Sequence, residues 1–168
     1  MTVTVVGAAK LVDKENIDTL NKRLRSDGDA LSFVVFKFVE GTKDTITVVE
    51  SGEGGWEAFE KYFLADQIAW VLWRLNAGDN VSQRSKFVFL SWCGEKVKTV
   101  ARVASGPQGK SLEQSLGYIH VSKYGCNADE MNPNVIREKV RQAGGVRYDH
   151  TETFDGQEKQ IETDQRTK

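Results

Sequence analysis

From Leu31 to Val39 the chain reads Leu-Ser-Phe-Val-Val-Phe-Lys-Phe-Val, apolar at nearly every position. Such a run predicts a strand covered on both faces. Ahead of it, Ile17, Leu20 and Leu24 recur at helical spacing behind Asp13, a good N-cap residue, and Gly28 marks the stop. After the turn Glu40-Gly41-Thr42-Lys43-Asp44, a second strand is expected from Thr45 to Glu50. Trp56, Phe59 and Phe63 then fall on one side of a short helix. Two more strands follow, Gln67 to Leu75 and Lys86 to Trp92, joined by the loop Asn76 to Ser85. Four strands with short connections favour antiparallel pairing.

Beyond Trp92 the period changes. Val97, Val100, Ala101 and Ala104 fit the inward face of a short helix, and Leu112, Leu116 and Ile119 a second helix starting near Pro107. Ser122 to Cys126 reads as a fifth strand. Asn132-Pro133 opens a last helix with Ile136, Val140 and Ala143 inward and Gly144 at its end. The order predicts an α/β domain, a mixed sheet with helices on both faces. Residues 1–10 read as an N-terminal arm, 11–148 as the domain, and 149–168 as a tail without fixed structure, since it holds six acids, three bases and only Phe154 and Ile161 as large apolar residues.

Composition narrows the function classes. The chain has 168 residues, 39% hydrophobic and 28% charged, with a net charge of −1. That suits one domain with a real core and argues against a polyelectrolyte binder. The two cysteines, Cys93 and Cys126, are too few for a disulfide scaffold, and the opening residues lack the basic start of a signal peptide. The expectation is a soluble cytoplasmic protein.

Catalytic chemistry finds little support. His120, on the helix with Leu116 and Ile119, and His150, in the tail, have no partner at metal-ligand spacing. There is no nucleophile elbow, and Cys93 ends a core strand. The expectation is no metal, no cofactor and no enzymatic activity. One stretch is the alternative: Ala104-Ser-Gly-Pro-Gln-Gly-Lys-Ser111 is close to a phosphate-binding loop, with alanine for the first glycine. A nucleotide-binding enzyme would use Gly109, Lys110 and Ser111. Against this, the residues before it read as helix, no apolar run ending in aspartate follows, and the strands upstream look antiparallel.

Charge is unevenly spread. From Ser82 to Lys110 stand Arg84, Lys86, Lys96, Lys98, Arg102 and Lys110, with Glu95 the only acid, so this stretch is +5 in a chain of −1. The last helix adds Arg137, Lys139 and Arg141, the two arginines one turn apart. Such asymmetry points to an acidic partner. Nucleic acid fits poorly, because the pI is about 6.2 and no exposed aromatics interleave with the bases. An acidic protein surface fits better.

Three stretches carry a resemblance: "RSDGDALSFVVFKF", "AGDNVSQRSKFVFLSWCGEKV" and "NPNVIREKVRQAGGVRYD". Together they resemble the coactosins, within the actin-depolymerising-factor homology (ADF-H, cofilin-like) superfamily, over about Asp13 to Asp149. The most specific parts are Gly78-Asp79 with Ser85-Lys86-Phe87, the turn from Trp92 to Gly94-Glu95, and Ala143-Gly144-Gly145 with Tyr148-Asp149. The resemblance implies a five-stranded mixed sheet between helices and a cytoplasmic protein of the actin cytoskeleton that modulates filament dynamics. It implies filamentous actin as partner, with monomeric actin left open. Apart from the resemblance, the sequence leads to an expectation of no nucleic acid, no membrane and, since nothing demands a dimer, a monomer. The resemblance also implies Lys86 as the principal filament-binding residue, with Arg84 beside it, Lys110 at the start of a long helix aimed at the partner, and Arg137, Lys139 and Arg141 on the last helix. The chain departs from the pattern in having Glu113, Gln114 and Ser115 after Lys110, which counts against severing in the manner of cofilin.

Overall fold

The computed structural model describes residues 2–78 and 83–143, together with two short strands at 151–154 and 157–160. Seven strands form one sheet. They are β1 (Val3–Val6), β2 (Ala9–Val12), β3 (Phe33–Phe38), β4 (Thr45–Gly52), β5 (Ile68–Gly78), β6 (Gln83–Cys93) and β7 (Val121–Gly125), in the spatial order β1-β2-β4-β3-β5-β6-β7. The expected antiparallel block β4-β3-β5-β6 is present, and β7 runs parallel to β6. The sheet has two strands more than expected, because the N-terminal arm pairs. β1 and β2 form a hairpin through Gly7 at φ 54°, and β2 lies parallel to β4. Lys10 fastens it, its backbone N–H donating to the Asp44 carbonyl at 2.9 Å and its Nζ to the Asp44 carboxylate at 2.8 Å.

Side chains alternate along these strands, so each face has its own core. On one face Val34, Phe36, Trp70, Leu72 and Phe89 pack under two helices, α1 (Lys14–Leu24) and α3 (Thr99–Ser115). On the other, Phe33, Val35, Val71, Trp73, Val88, Leu90 and Trp92 pack under a short helix α2 (Trp56–Phe59) and α4 (Pro133–Ala143). The Asp13 carboxylate accepts from the Asn16 N–H at 3.2 Å, which caps α1, and Ile17, Leu20 and Leu24 are buried. The helix stops at Leu24 rather than Gly28. α2 passes into a 3-10 turn, Glu60–Tyr62, where Trp56, Phe59 and Phe63 pack on Trp73 and Trp92.

The region after Trp92 differs most from expectation. The two short helices are one, with Pro107 inside it. Proline lacks the N–H that would reach the Val103 carbonyl, but Pro107 and Val103 are exposed, where water can satisfy that carbonyl. The buried stripe of α3 is Ser105, Gln108, Gly109 and Leu112, while Val100 and Val103, 66% and 68% accessible, face solvent. Two polar residues and a glycine form that inner face because close approach decides it: a Cβ on Gly109 would stand 2.4 Å from Trp70 Nε1. His120 lies past the helix, immediately before β7.

In α4 the Asn132 Oδ1 accepts from the Asn134 N–H at 2.9 Å. Ile136 and Val140 are fully buried, whereas Ala143, expected inward, is exposed. Gly144, Arg147 and His150 lie outside the described residues. Within 149–168, where no fixed structure was expected, Thr151–Phe154 (β8) and Gln157–Gln160 (β9) pair as an antiparallel hairpin. The rest of that stretch lies outside the described residues.

Candidate partner-binding surface

The surface is best built from β6. Its register sets Lys86 opposite Leu75 and Arg84 opposite Ala77. Directly opposed residues share a face, and Leu75 and Ala77 belong to the core under α4. Arg84, Lys86, Val88, Leu90 and Trp92 therefore line up on that face. Val88, Leu90 and Trp92 are buried, Lys86 is half-buried and Arg84 is exposed. The two bases stand where the apolar stripe runs out, held by a strand that pairs with β5 from Ile68↔Cys93 to Gly78↔Gln83. Among the described residues, neither forms an ion pair.

The opposite face of the same strand end is fixed by polar contacts. Ser85 Oγ lies 3.3 Å from both the Asp27 carboxylate and the Asn76 amide oxygen. His120 clamps Phe87: the Phe87 N–H donates to His120 Nδ1 at 2.9 Å, and the His120 N–H donates to the Phe87 carbonyl at 2.8 Å. This continues the β6–β7 pairing one step past Val88↔Val121, towards Lys86. Arg25 stacks over the Phe87 ring at 4.5 Å and donates to the Leu116 and Tyr118 carbonyls at 2.8 and 2.9 Å. Burial, and then the charges of Lys86 and Arg25, hold the His120 imidazole below its ordinary pKa, which keeps Nδ1 an acceptor. Sequence reasoning assigned His120 to a helix and missed this positioning role. The only signal was its place just ahead of a strand.

The bases of α4 lie on the same side of the sheet as Lys86. Met131, just ahead of the helix, packs on Gly125 at the end of β7. Ile136 and Val140 belong to the same core as Val88 and Leu75, so α4 covers the face on which Lys86 stands. Arg137 and Arg141 are half-buried and Lys139 is exposed. Arg141 Nε donates to the Glu138 carboxylate at 3.0 Å.

Lys110 is placed differently from expectation. It stands in the middle of α3, not in a first turn, so it does not oppose the helix dipole. It is exposed and lies 3.4 Å from Glu113, and Glu113 in turn bonds Ser122 on β7. Lys110 therefore belongs to the opposite face from Lys86, on the side of the sheet that α3 covers. The outer face of α3 carries Val100, Val103, Pro107 and Lys110, all exposed at helical spacing. The two valines are further surface residues that sequence reasoning missed, having turned Val100 inward.

The near-phosphate stretch Ala104–Ser111 is ruled out as a phosphate loop by its geometry. Its backbone is helical throughout, so its N–H groups cannot wrap an anion. Gly109 is packed on Trp70, and Ser111 Oγ accepts from the Ala8 N–H at 2.9 Å. Cys93 is buried, and Cys126 is bonded to Glu130, whose carboxylate raises the thiol pKa. Among the described residues, no helix is long and apolar enough to cross a membrane.

Comparison with known proteins gives a consistent result. Residues 11–141 match the family of cofilin/tropomyosin-type actin-binding proteins. The chain is similar to coactosin of Dictyostelium discoideum, 32% identical over 124 residues that cover 73% of this chain and 84% of that protein. Among solved structures it is similar to Entamoeba histolytica coactosin, with a TM-score of 0.72 at 22% identity, covering 84% of this chain and 100% of the other. It is also similar to mouse coactosin, described as an actin filament binding protein, with a TM-score of 0.65 at 27% identity, covering 84% and 96%.

Proposed function

The chain belongs to the family of cofilin/tropomyosin-type actin-binding proteins, and from that premise we propose that it binds the side of actin filaments through Lys86, modulates filament dynamics and associates with the actin cytoskeleton. One observation carries the choice of Lys86: it is a half-buried cation with no counter-ion among the described residues, on a strand clamped from both sides. A positioned, unpaired charge contributes to binding, whereas a flexible solvated one loses entropy when it pairs. Arg84, one strand repeat away, and Arg137, Lys139 and Arg141 on the same side add to the field that draws in an acidic partner. Lys110, with Val100 and Val103, supplies a contact on the side that α3 covers. The protein acts as a monomer in this reading.

Co-sedimentation with filaments tests it. The wild type pellets with filaments at low ionic strength and less at high, because the Debye length falls from about 10 Å at 0.1 M to about 3 Å at 1 M salt. Lys86→Glu loses most of the pelleting, at least about a tenfold weakening, with its circular dichroism spectrum unchanged. Undiminished pelleting of that variant removes Lys86 from the site. A wild type that never pellets removes the filament reading altogether.

A further inference from the structure

Away from the Arg84–Lys86 rim, the turn between β3 and β4 and the loops ahead of β5 and α3 border an open cavity of about 630 Å³, within the usual range for small-molecule sites. Four lysines line it, Lys37, Lys43, Lys96 and Lys98, against two acids, Glu40 and Asp66. Lys37 is engaged, its Nζ donating to the Gln67 side chain at 2.7 Å. Lys43, Lys96 and Lys98 form no ion pair among the described residues. The cavity also includes Lys98 at the N-cap of α3 and Ala101 in its first turn. That helix start has no side-chain cap and no acid, so its first N–H groups are left for another acceptor. Phe38, Ile68 and Val97 give the cavity an apolar part.

One wall is held in place from inside. Gln108, only 7% exposed, donates its amide to the Lys43 carbonyl. This ties the β3–β4 turn to α3, and the Gln108 Oε1 is left buried without a partner among the described residues. Three cations without ion pairs among the described residues, open helix amides and an apolar part describe a receptor for an anion with an organic body.

We propose that this cavity binds a small soluble oligophosphate ester of the nucleotide kind. Its phosphates meet Lys43, Lys96, Lys98 and the first amides of α3, and its body lies on Phe38 and Ile68. Glu40 and Asp66 set like charges against a broad anionic surface, so a compact soluble anion fits better than a bilayer. The site is separate from residues 104–111 and independent of the filament contact at Lys86.

The test uses the isotope-labelled full chain without actin, titrated in low-salt, magnesium-free buffer with ATP, sodium tripolyphosphate and adenosine in turn. ATP shifts the amide resonances of Thr99, Val100 and Ala101 and saturates, tripolyphosphate does so more weakly, and adenosine leaves them unmoved. The double variant Lys43→Gln, Lys98→Gln binds ATP about tenfold more weakly, whereas Lys14→Gln, Lys22→Gln on α1 binds as the wild type does. The proposal is overturned if shifts spread over all surface lysines without saturating, if the Lys43/Lys98 variant binds unchanged, or if no soluble probe binds. Binding only to vesicles of phosphorylated lipid, with no response to the soluble probes, overturns it as well.

Discussion

The two faces of the sheet are covered in different ways. Under α4 the contact is apolar: Ile136 and Val140 lie among Val88, Leu90, Leu75 and Trp92. Under α3 it depends on shape and polarity. Gly109 lets the helix approach Trp70, Ser105 and Gln108 are buried, and His120 and Arg25 hold Phe87. An apolar stripe needs only the right period and tolerates modest repacking. A helix fitted through a glycine and buried hydrogen bonds has little room for change. The difference also reaches the surface. Because α3 buries its polar residues, it turns Val100 and Val103 outward, whereas α4 turns out bases.

This contrast can be broken by mutation. Ile136→Ala removes a fully buried side chain under α4 and is expected to cost about 3 kcal/mol of stability, read as a lower midpoint in urea unfolding. Gly109→Ala is the sharper case under α3. In an ordinary helix this change stabilises by about 1 kcal/mol, but here the new methyl meets the Trp70 ring, 2% exposed. The expected sign is reversed, a loss of about 2 kcal/mol. A stabilised Gly109→Ala protein would show that the α3 face is no tighter than the other.

A smaller effect is expected from pH. The folded pKa of His120 lies below its ordinary value, so the unfolded chain binds the proton more readily. Its contribution to stability is complete above the unfolded pKa, about 6.5, and is lost as pH falls through that value towards the folded one. Urea midpoints measured between pH 7.5 and 5.5 should fall for the wild type, and less steeply for His120→Gln. Equal slopes would detach His120 from the β6–β7 clamp. Smallest of all, Val100→Ser with Val103→Ser should leave stability within about 0.5 kcal/mol, since both valines face solvent. The same pair should reduce filament pelleting if the outer stripe of α3 touches the partner.

Much of the fold was legible where side-chain period and burial agree. The antiparallel block, Asp13 as a cap, the pairing of Ile136 with Val140, and the place of Arg84 and Lys86 at the end of a core strand all follow from spacing. α3 was not legible, because Gly106-Pro107 reads locally as a break and the buried Ser105, Gln108 and Gly109 carry no apolar period. The arm at 1–10 was missed for a related reason. Its alternation of threonine and valine is strand-like, but the hairpin it forms with residues 9–12 joins the sheet only through β4.

The sequence by itself determined which residues are apolar, where their period is 2 or 3.6, and that positive charge gathers between Ser82 and Lys110. Those are properties of neighbours along the chain, and local physics reads them directly. The tertiary structure alone decided that Lys86 and Lys110 lie on opposite faces of the sheet, that His120 holds the strand carrying Lys86, and that Lys43, Lys96 and Lys98 meet around one cavity. Each of these depends on segments far apart in the chain being brought together by register and close packing, and no window of sequence contains that information.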